Sequence, residues 1–246
     1  MLRFLRQAFW LSLSVMQSIT AYRLRPHRTA GDRAEWAHVW AGKCLRRLGI
    51  RYSVTGELPN AGLVVSNHLG YLDILVYAAA MPCIFVSKAE VKSWPVFGTL
   101  ANLAGTVYVD RRRRSDTINA NTGISRGLAE GLRVIVFPEG TSSDGSEVLP
   151  FYPSLFEPAI ENQAPVTAAY LSYEVESGTV EQDVAYWGTM TFFPHLLQLL
   201  RLGEIRAFIR FSETPRVFAN RKAASVEMRS EVLRLREPET RAMVAD

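Results

Sequence analysis

The chain has 246 residues, 48% of them hydrophobic and 21% charged, and a formal net charge of +4. That length builds one domain with a real core, or at most two small ones; a mean hydropathy of +0.02 with a sequence pI near 9.2 excludes a disordered chain and a polytopic membrane protein and hints at lipid contact. The two cysteines, Cys44 and Cys83, make no disulfide scaffold and fit a reducing compartment.

The first predicted element is an uncharged run over residues 7–22. It carries Phe9, Trp10, Leu11, Leu13, Val15, Met16 and Ile19, with Arg3 and Arg6 before it and Arg23, Arg25 and Arg28 after it. A spanning helix needs about 20 mainly apolar residues, and this run is shorter and holds Ser12, Ser14, Gln17, Ser18 and Thr20. A secretory signal peptide also places basic residues before an apolar stretch, but no convincing small-residue cleavage site follows here. The third reading is a helix lying in one leaflet with its arginines on anionic headgroups. A second helix over residues 33–48 sets Trp36, Val39, Trp40, Leu45 and Leu48 at near-helical spacing, and tryptophan is favoured at the bilayer interface. Residues 1–48 are therefore expected to form membrane-associated helices, monotopic or a single N-terminal anchor; the blander alternative is a hairpin packed on the domain's own core.

After Gly49 the pattern changes. Strand-like runs recur at residues 52–55, 63–66, 83–87, 106–109, 134–137, 166–171 and 205–211, with helix-like segments at 71–80, 94–103, 117–130 and 154–161 between several of them. Alternation of this kind implies an α/β fold on a mixed, largely parallel central sheet flanked by helices. Residues 223–236 read as a charged helix ended by Pro238. No internal repeat or linker-like tract divides residues 49–246, which are expected to form the α/β domain.

Three constellations carry chemistry. In Ser66-Asn67-His68-Leu69-Gly70-Tyr71-Leu72-Asp73 an apolar strand runs into an apolar helix. His68 and Asp73 would lie about 140° apart on one straight helix, so for their side chains to meet His68 must sit in the turn and Asp73 in the first helical turn, with Gly70 easing the bend. A histidine held by a carboxylate has a fixed tautomer and serves as a general base. The plainer reading is a loop histidine and an acid at a helix N-terminus. In Gly105-Thr106-Val107-Tyr108-Val109-Asp110-Arg111, extended by Arg112, Arg113 and Arg114, guanidinium groups at a strand end suit phosphate oxygens; Arg111 is the nearest to the strand, and the later ones read as a solvated basic loop. In Val134 through Gly145, a buried strand enters Pro138-Glu139-Gly140-Thr141, a turn that presents backbone N–H groups and a carboxylate. Ala164-Pro165-Val166-Thr167, a proline opening a strand, is structural by itself.

In this order the pieces resemble the lysophospholipid acyltransferase family, typified by bacterial 1-acylglycerol-3-phosphate acyltransferases. Asn67, His68 and Asp73 match the family's Asn-His-four-residues-Asp motif; Gly105, Tyr108, Val109, Asp110 and Arg111 match its second motif; Phe137 to Thr141 match Phe-Pro-Glu-Gly-Thr; and Pro165-Val166 match the fourth. Lys88 also stands where the family has a basic residue. The resemblance covers roughly residues 49–171. It implies transfer of a fatty acyl group from a thioester, acyl-CoA or acyl-carrier protein, to the free hydroxyl of a lysophospholipid, first 1-acylglycerol-3-phosphate giving phosphatidate. His68 would act as base and Asp73 would orient it, with no acyl-enzyme, no cofactor and no metal. The substrate contacts implied are Asn67, Lys88, Arg111, Glu139, Gly140 and Thr141, with donors near Gly140 and Thr141 on the oxyanion, Glu139 and Arg111 on the acceptor, and Lys88 on an anionic donor or acceptor. The cytoplasmic face of the inner membrane is the place it implies. The third motif often continues Thr-Arg-Ser, whereas Ser142 and Ser143 follow Thr141 here. That departure is similar to branches acylating lyso-ornithine lipid or a related amino-acid lipid, so phosphate and ornithine headgroups both stay open.

Competing functions fare worse on the residues. A non-catalytic membrane scaffold on the same fold would have no need of His68 and Asp73. A lipid hydrolase would want a Gly-x-Ser-x-Gly elbow, and none occurs. His27, His38 and His195 lack metal-ligand spacing; His195 reads as buried or interfacial. No aromatic–basic pattern accompanies the positive charge, which argues against a nucleic-acid partner.

Overall fold

Leu63, Val64 and Val65 are all completely buried, as a parallel strand covered on both faces requires, and they set the centre of the sheet. The structure, a computed structural model, describes residues 2–26, 29–109 and 114–237, with residues 114–120 described for backbone alone. The strands are β1 (Ile50–Thr55), β2 (Gly62–Ser66), β3 (Ile84–Lys88), β4 (Val107–Val109), β5 (Arg133–Val136), β6 (Val166–Val175) and β7 (Ile205–Phe211). They form one seven-stranded sheet in the order β1-β7-β6-β2-β5-β3-β4. Every pair is parallel except β6 with β7. The mixed, largely parallel sheet expected from the alternating pattern is therefore present.

Helices cover both faces. The described chain opens with α1 (Leu2–Leu24) and α2 (Ala30–Leu48), followed by α3 (Tyr71–Ala80), α4 (Phe97–Leu103), α5 (Arg114–Ala129), α6 (Glu157–Glu161), α7 (Phe192–Leu199) and α8 (Arg221–Arg236). Side chains alternate along the strands. Val64 and Ile135 enter a core with Leu45 of α2, Val76 and Tyr77 of α3 and Leu199 of α7, while Leu63, Val65, Val134 and Val136 enter another with Ile124 and Leu128 of α5 and Met228 and Val232 of α8. Helices α2, α5 and α8 begin two or three residues earlier than expected, and two others differ more. The one predicted from residue 94 starts at Phe97, after a 3-10 turn at Ala89–Ser93, and the one predicted over 154–161 divides into a 3-10 turn, Pro153–Phe156, and the short α6.

The N-terminal pair is built unusually. Thr29 and Asp32 cap α2 reciprocally, side chain to backbone in both directions at 3.0 Å, and Gly49 ends it at φ 68. Helix α1 then docks on α2 through polar groups. Gln7 Nε2 donates to Leu48 O at 2.9 Å; Arg47 donates to Ser14 Oγ at 3.1 Å and Gln17 Oε1 at 2.8 Å; and Trp36 Nε1 donates to Ser18 O at 3.1 Å. The buried residues of α1 are Gln7, Ser14 and Ser18, whereas Leu2, Leu5, Phe9, Met16 and Leu24 are exposed. Among the described residues no helix is long and apolar enough to cross a membrane.

Candidate active site

The site sits at the carboxyl ends of the parallel strands, where open α/β sheets place their crevice. At the end of β2 the Asn67 carboxamide continues the ladder to β6 in side-chain form: Nδ2 donates to Leu171 O at 2.9 Å and Oδ1 accepts from Leu171 N at 2.8 Å. The chain then leaves the sheet at His68 and enters α3 at Tyr71. Asp73, the third residue of that helix, turns its carboxylate back toward the turn. Its Oδ2 accepts from the backbone N–H of Leu69 at 2.7 Å and of Gly70 at 3.0 Å, the arrangement an acid takes at a helix start. The same oxygen lies 2.7 Å from His68 Nδ1. Turn and first helical turn together supply the bend that the five-residue spacing demanded. Gly70 serves it for another reason than conformational freedom: a Cβ there would meet the Tyr186 backbone nitrogen at 2.9 Å, because Tyr186 N donates to Leu69 O at 2.7 Å.

The imidazole is constrained on its face as well as its edge. It stacks on Phe137, with centroids 4.0 Å apart and planes 12° from parallel. The His68 carbonyl accepts from Ser143 N at 2.9 Å, so the turns after β2 and β5 brace each other. The His68 side chain keeps 20% of its surface while Asp73 keeps 1%. With Nδ1 donating to the carboxylate, Nε2 is the nitrogen left for a substrate proton. The other carboxylate oxygen, Oδ1, accepts from the Tyr173 hydroxyl at 2.7 Å. Sequence reasoning passed over Tyr173: it stands a hundred residues beyond Asp73, and a buried tyrosine in a β-run carries no local sign of its partner.

His68 opens onto a cavity of about 290 Å³, which Lys88, Gly140 and Thr141 also line. Lys88 ends β3 and Gly140 and Thr141 follow β5, so neighbouring strands bring the motifs together. Its far walls come from the inner side of α1, with Ser14 and Val15, and from Trp36 and Trp40 of α2. Asn67 and Glu139 stand apart from it. Both are buried, neither lines the cavity, and they lie behind the turns instead of before them. Arg111 is outside the described residues.

Burial pushes the Glu139 carboxyl up to about 8; the backbone of His68 and Leu149 and the charge of Arg229 offset this only partly, and the charge of Asp73 adds to it. Neither Glu139 oxygen has a hydrogen-bond partner of ordinary geometry among the described residues. His195 is buried on α7, its Nδ1 2.9 Å from the Tyr71 hydroxyl. Burial lowers its proton affinity below the usual histidine range. Among the described residues no three His, Cys, Asp or Glu side chains group as metal ligands would.

Comparison with known proteins decides the family. A model of the family described as Acyltransferase matches residues 49–172, half of the chain and the segment that carries His68, Asp73, Lys88, Gly140 and Thr141. The chain belongs to the acyltransferase family. Similar proteins include a lyso-ornithine lipid O-acyltransferase of Rhizobium meliloti, 36% identical over 72% of this chain and 66% of that one. Another of the same name from Brucella abortus is 36% identical over 76% of each, and a 1-acyl-sn-glycerol-3-phosphate acyltransferase of Neisseria gonorrhoeae is 42% identical over 50% of this chain and 48% of its own length. The acyltransferase thus spans about two thirds of the first of these relatives and three quarters of the second. Its fold is that of PlsC, the 1-acyl-sn-glycerophosphate acyltransferase of Thermotoga maritima, whose crystal structure superposes with a TM-score of 0.65 over 96% of both chains at 19% identity.

Proposed function

We propose that this acyltransferase moves a fatty acyl group from a thioester, acyl-CoA or acyl-carrier protein, to the free hydroxyl of a lysolipid, with His68 as general base. The observation carrying this reading is the 2.7 Å contact between His68 Nδ1 and Asp73, in an imidazole that faces a mostly apolar cavity. His68 Nε2 takes the hydroxyl proton as the oxygen attacks the thioester carbonyl. An oxyanion forms, the C–S bond breaks, and the imidazolium returns the proton to the departing sulfur, leaving an ester and a free thiol. Asp73 orients the ring and stabilises its charged form. A base so placed supplies about 10²–10⁴-fold in rate.

Thr141 is the better suited of the two turn residues to the oxyanion, since the Gly140 N–H is already given to the Phe137 carbonyl at 3.0 Å and a turn amide costs no reorganisation during reaction. Lys88 and Arg111 are assigned to anionic parts of donor or acceptor. Asn67 acts in this reading from behind the turn, tying the backbone before His68 to β6, and Glu139 acts as a buried carboxyl packed behind the Gly140 turn. The acceptor is 1-acylglycerol-3-phosphate or a lyso-ornithine lipid. One observation favours the second: Ser142 follows Thr141 where a phosphate-binding arginine is frequent, and its hydroxyl is committed to the Tyr186 carbonyl. The Brucella abortus relative, which aligns over three quarters of its own length, carries that name.

The exposed apolar residues of α1, flanked by Arg6, Arg23 and Arg25, support attachment of residues 1–48 to one leaflet; the cytoplasmic face of the inner membrane, which the thioester donors reach, is the face assigned in this reading, with the α/β domain of residues 49–246 carrying the chemistry. His68→Ala, assayed with lysophosphatidate and with lyso-ornithine lipid, is expected to lose roughly 10²-fold or more of its acyl transfer. Undiminished transfer to either acceptor overturns the base assignment, and the acceptor used faster by the unmutated chain decides the headgroup.

A further inference from the structure

Asp73 takes four donors: His68 Nδ1, the N–H groups of Leu69 and Gly70, and the Tyr173 hydroxyl. Three of them come from the turn on which Asp73 itself stands. The fourth reaches across from β6 and meets the oxygen that His68 leaves unused. We propose that the Tyr173 hydroxyl is a positioning group for the His68–Asp73 pair, setting how tightly the carboxylate holds the imidazole proton and hence the pH range in which His68 works as a base. This rests on the reading of His68 as the general base.

The placement has a physical origin. Leu171 and Tyr173 are two residues apart on β6, and side chains two apart share a face of a strand; both enter the core shared with α2 and α3. The backbone of Leu171 takes Asn67, and the hydroxyl of Tyr173 takes Asp73, so one strand holds both ends of the catalytic turn. Tyr77, also buried beside Asp73, does not compete, because its hydroxyl donates to Ser66 Oγ at 2.7 Å. Tyr71 is engaged with His195, and Glu139, the other carboxyl near Asp73, is held largely protonated below about pH 8. Burial, and then the charge of Asp73, push the Tyr173 phenol well above its ordinary range, so it remains an O–H donor while the enzyme works.

A hydrogen bond to one oxygen of a carboxylate withdraws negative charge from the other. Without it the carboxylate becomes more basic, retains the imidazolium more firmly, and shifts loss of activity on the acid side to higher pH. The backbone donors cannot be varied without moving the turn; the phenol can. The test uses the full chain in three forms: unaltered, Tyr173→Phe, and with a ring-fluorinated tyrosine at position 173, which is a stronger donor of nearly the same shape. The readout is the pH profile of kcat/KM for acyl transfer, with kcat and KM separated.

Tyr173→Phe is expected to keep KM within about twofold, because the hydroxyl acts on Asp73 and not on the substrate, and to act through kcat and its pH dependence. Its acid limb should move up by about half a pH unit or more, and that of the fluorinated form should move down. An unshifted acid limb in both variants, with or without a uniform loss of rate, overturns the proposal and leaves Tyr173 a packing residue. If Tyr173→Phe does not fold, the fluorinated chain decides alone. His68→Ala separates the two ideas: full activity there sinks the base assignment, whereas an inactive His68→Ala beside unshifted Tyr173 variants sinks only the role of Tyr173.

Discussion

A buried carboxyl group without well-formed hydrogen bonds is far costlier charged than neutral, and Glu139 is in that position, 3% exposed with neither oxygen in a hydrogen bond of ordinary geometry among the described residues. The neutral form also spares the site a second negative charge behind Asp73. Folded, Glu139 keeps its proton up to about pH 8; unfolded, it releases it near 4.5. Between those values the folded state binds more protons, so Glu139 makes stability fall as pH rises through that window. A shift of this size is worth at most about 5 kcal/mol. Glu139→Gln keeps the shape and cannot ionise. Denaturant midpoints at pH 5.5 and 8.5 should therefore differ less in the variant than in the unaltered chain, by an amount equivalent to at least about 1 kcal/mol. Equal differences in the two proteins would mean that Glu139 is already charged, or hydrated, in the folded state.

Strand β6 and the β2–α3 junction are the elements on which the site depends. The Asn67 carboxamide satisfies both the N–H and the C=O of Leu171, and Asn67→Ala strands both in a buried place. Each unsatisfied group costs about 1–3 kcal/mol, so unfolding should need about 2–6 kcal/mol less, with an unchanged denaturant slope and a marked loss of acyl transfer; an unaltered midpoint would show that water replaces the carboxamide. How much of this could be read beforehand follows the same divide between local and distant contacts. Helix α3 is legible to the residue, because its apolar period and its first-turn acid are both local. His68 and Asp73 were legible together because one turn joins them. Helix α7 was not, since Phe192-Phe193-Pro194-His195 puts a proline where helices are usually interrupted; Pro194 lies in the first turn, where the missing N–H has no helical partner to lose. Asn67 and Glu139 were read as substrate contacts, yet their side chains turn inward, and a motif records which residues a site requires without recording which way each points. Tyr173 meets Asp73 only because β6 neighbours β2 in the sheet order, and order is a property of the whole chain.

At the scale of the molecule, α1 has two uses for two sides. Its inner side, with Ser14 and Ser18, docks on α2 and lines the cavity that leads to His68. Its outer side carries Leu5, Phe9 and Met16, each more than half exposed, an inversion of the usual arrangement that costs free energy in water and gains it at a lipid surface. With 28 basic against 24 acidic residues in the chain and arginines at both ends of α1, attraction to anionic headgroups would add to the proposed apolar insertion. On this view a lysolipid reaches His68 from the leaflet while the thioester arrives from water. The chain should co-sediment with vesicles containing anionic lipid, more weakly as salt rises toward 0.5 M because exposed charges are screened. Phe9→Glu combined with Met16→Glu removes two insertions of about 2 kcal/mol each and should weaken vesicle binding by roughly a hundredfold or more. Neither residue lines the cavity, so transfer to a detergent-dispersed acceptor should stay within about twofold of the unaltered rate. Undiminished vesicle binding by the double variant would assign the outer face of α1 to a protein surface instead of a bilayer.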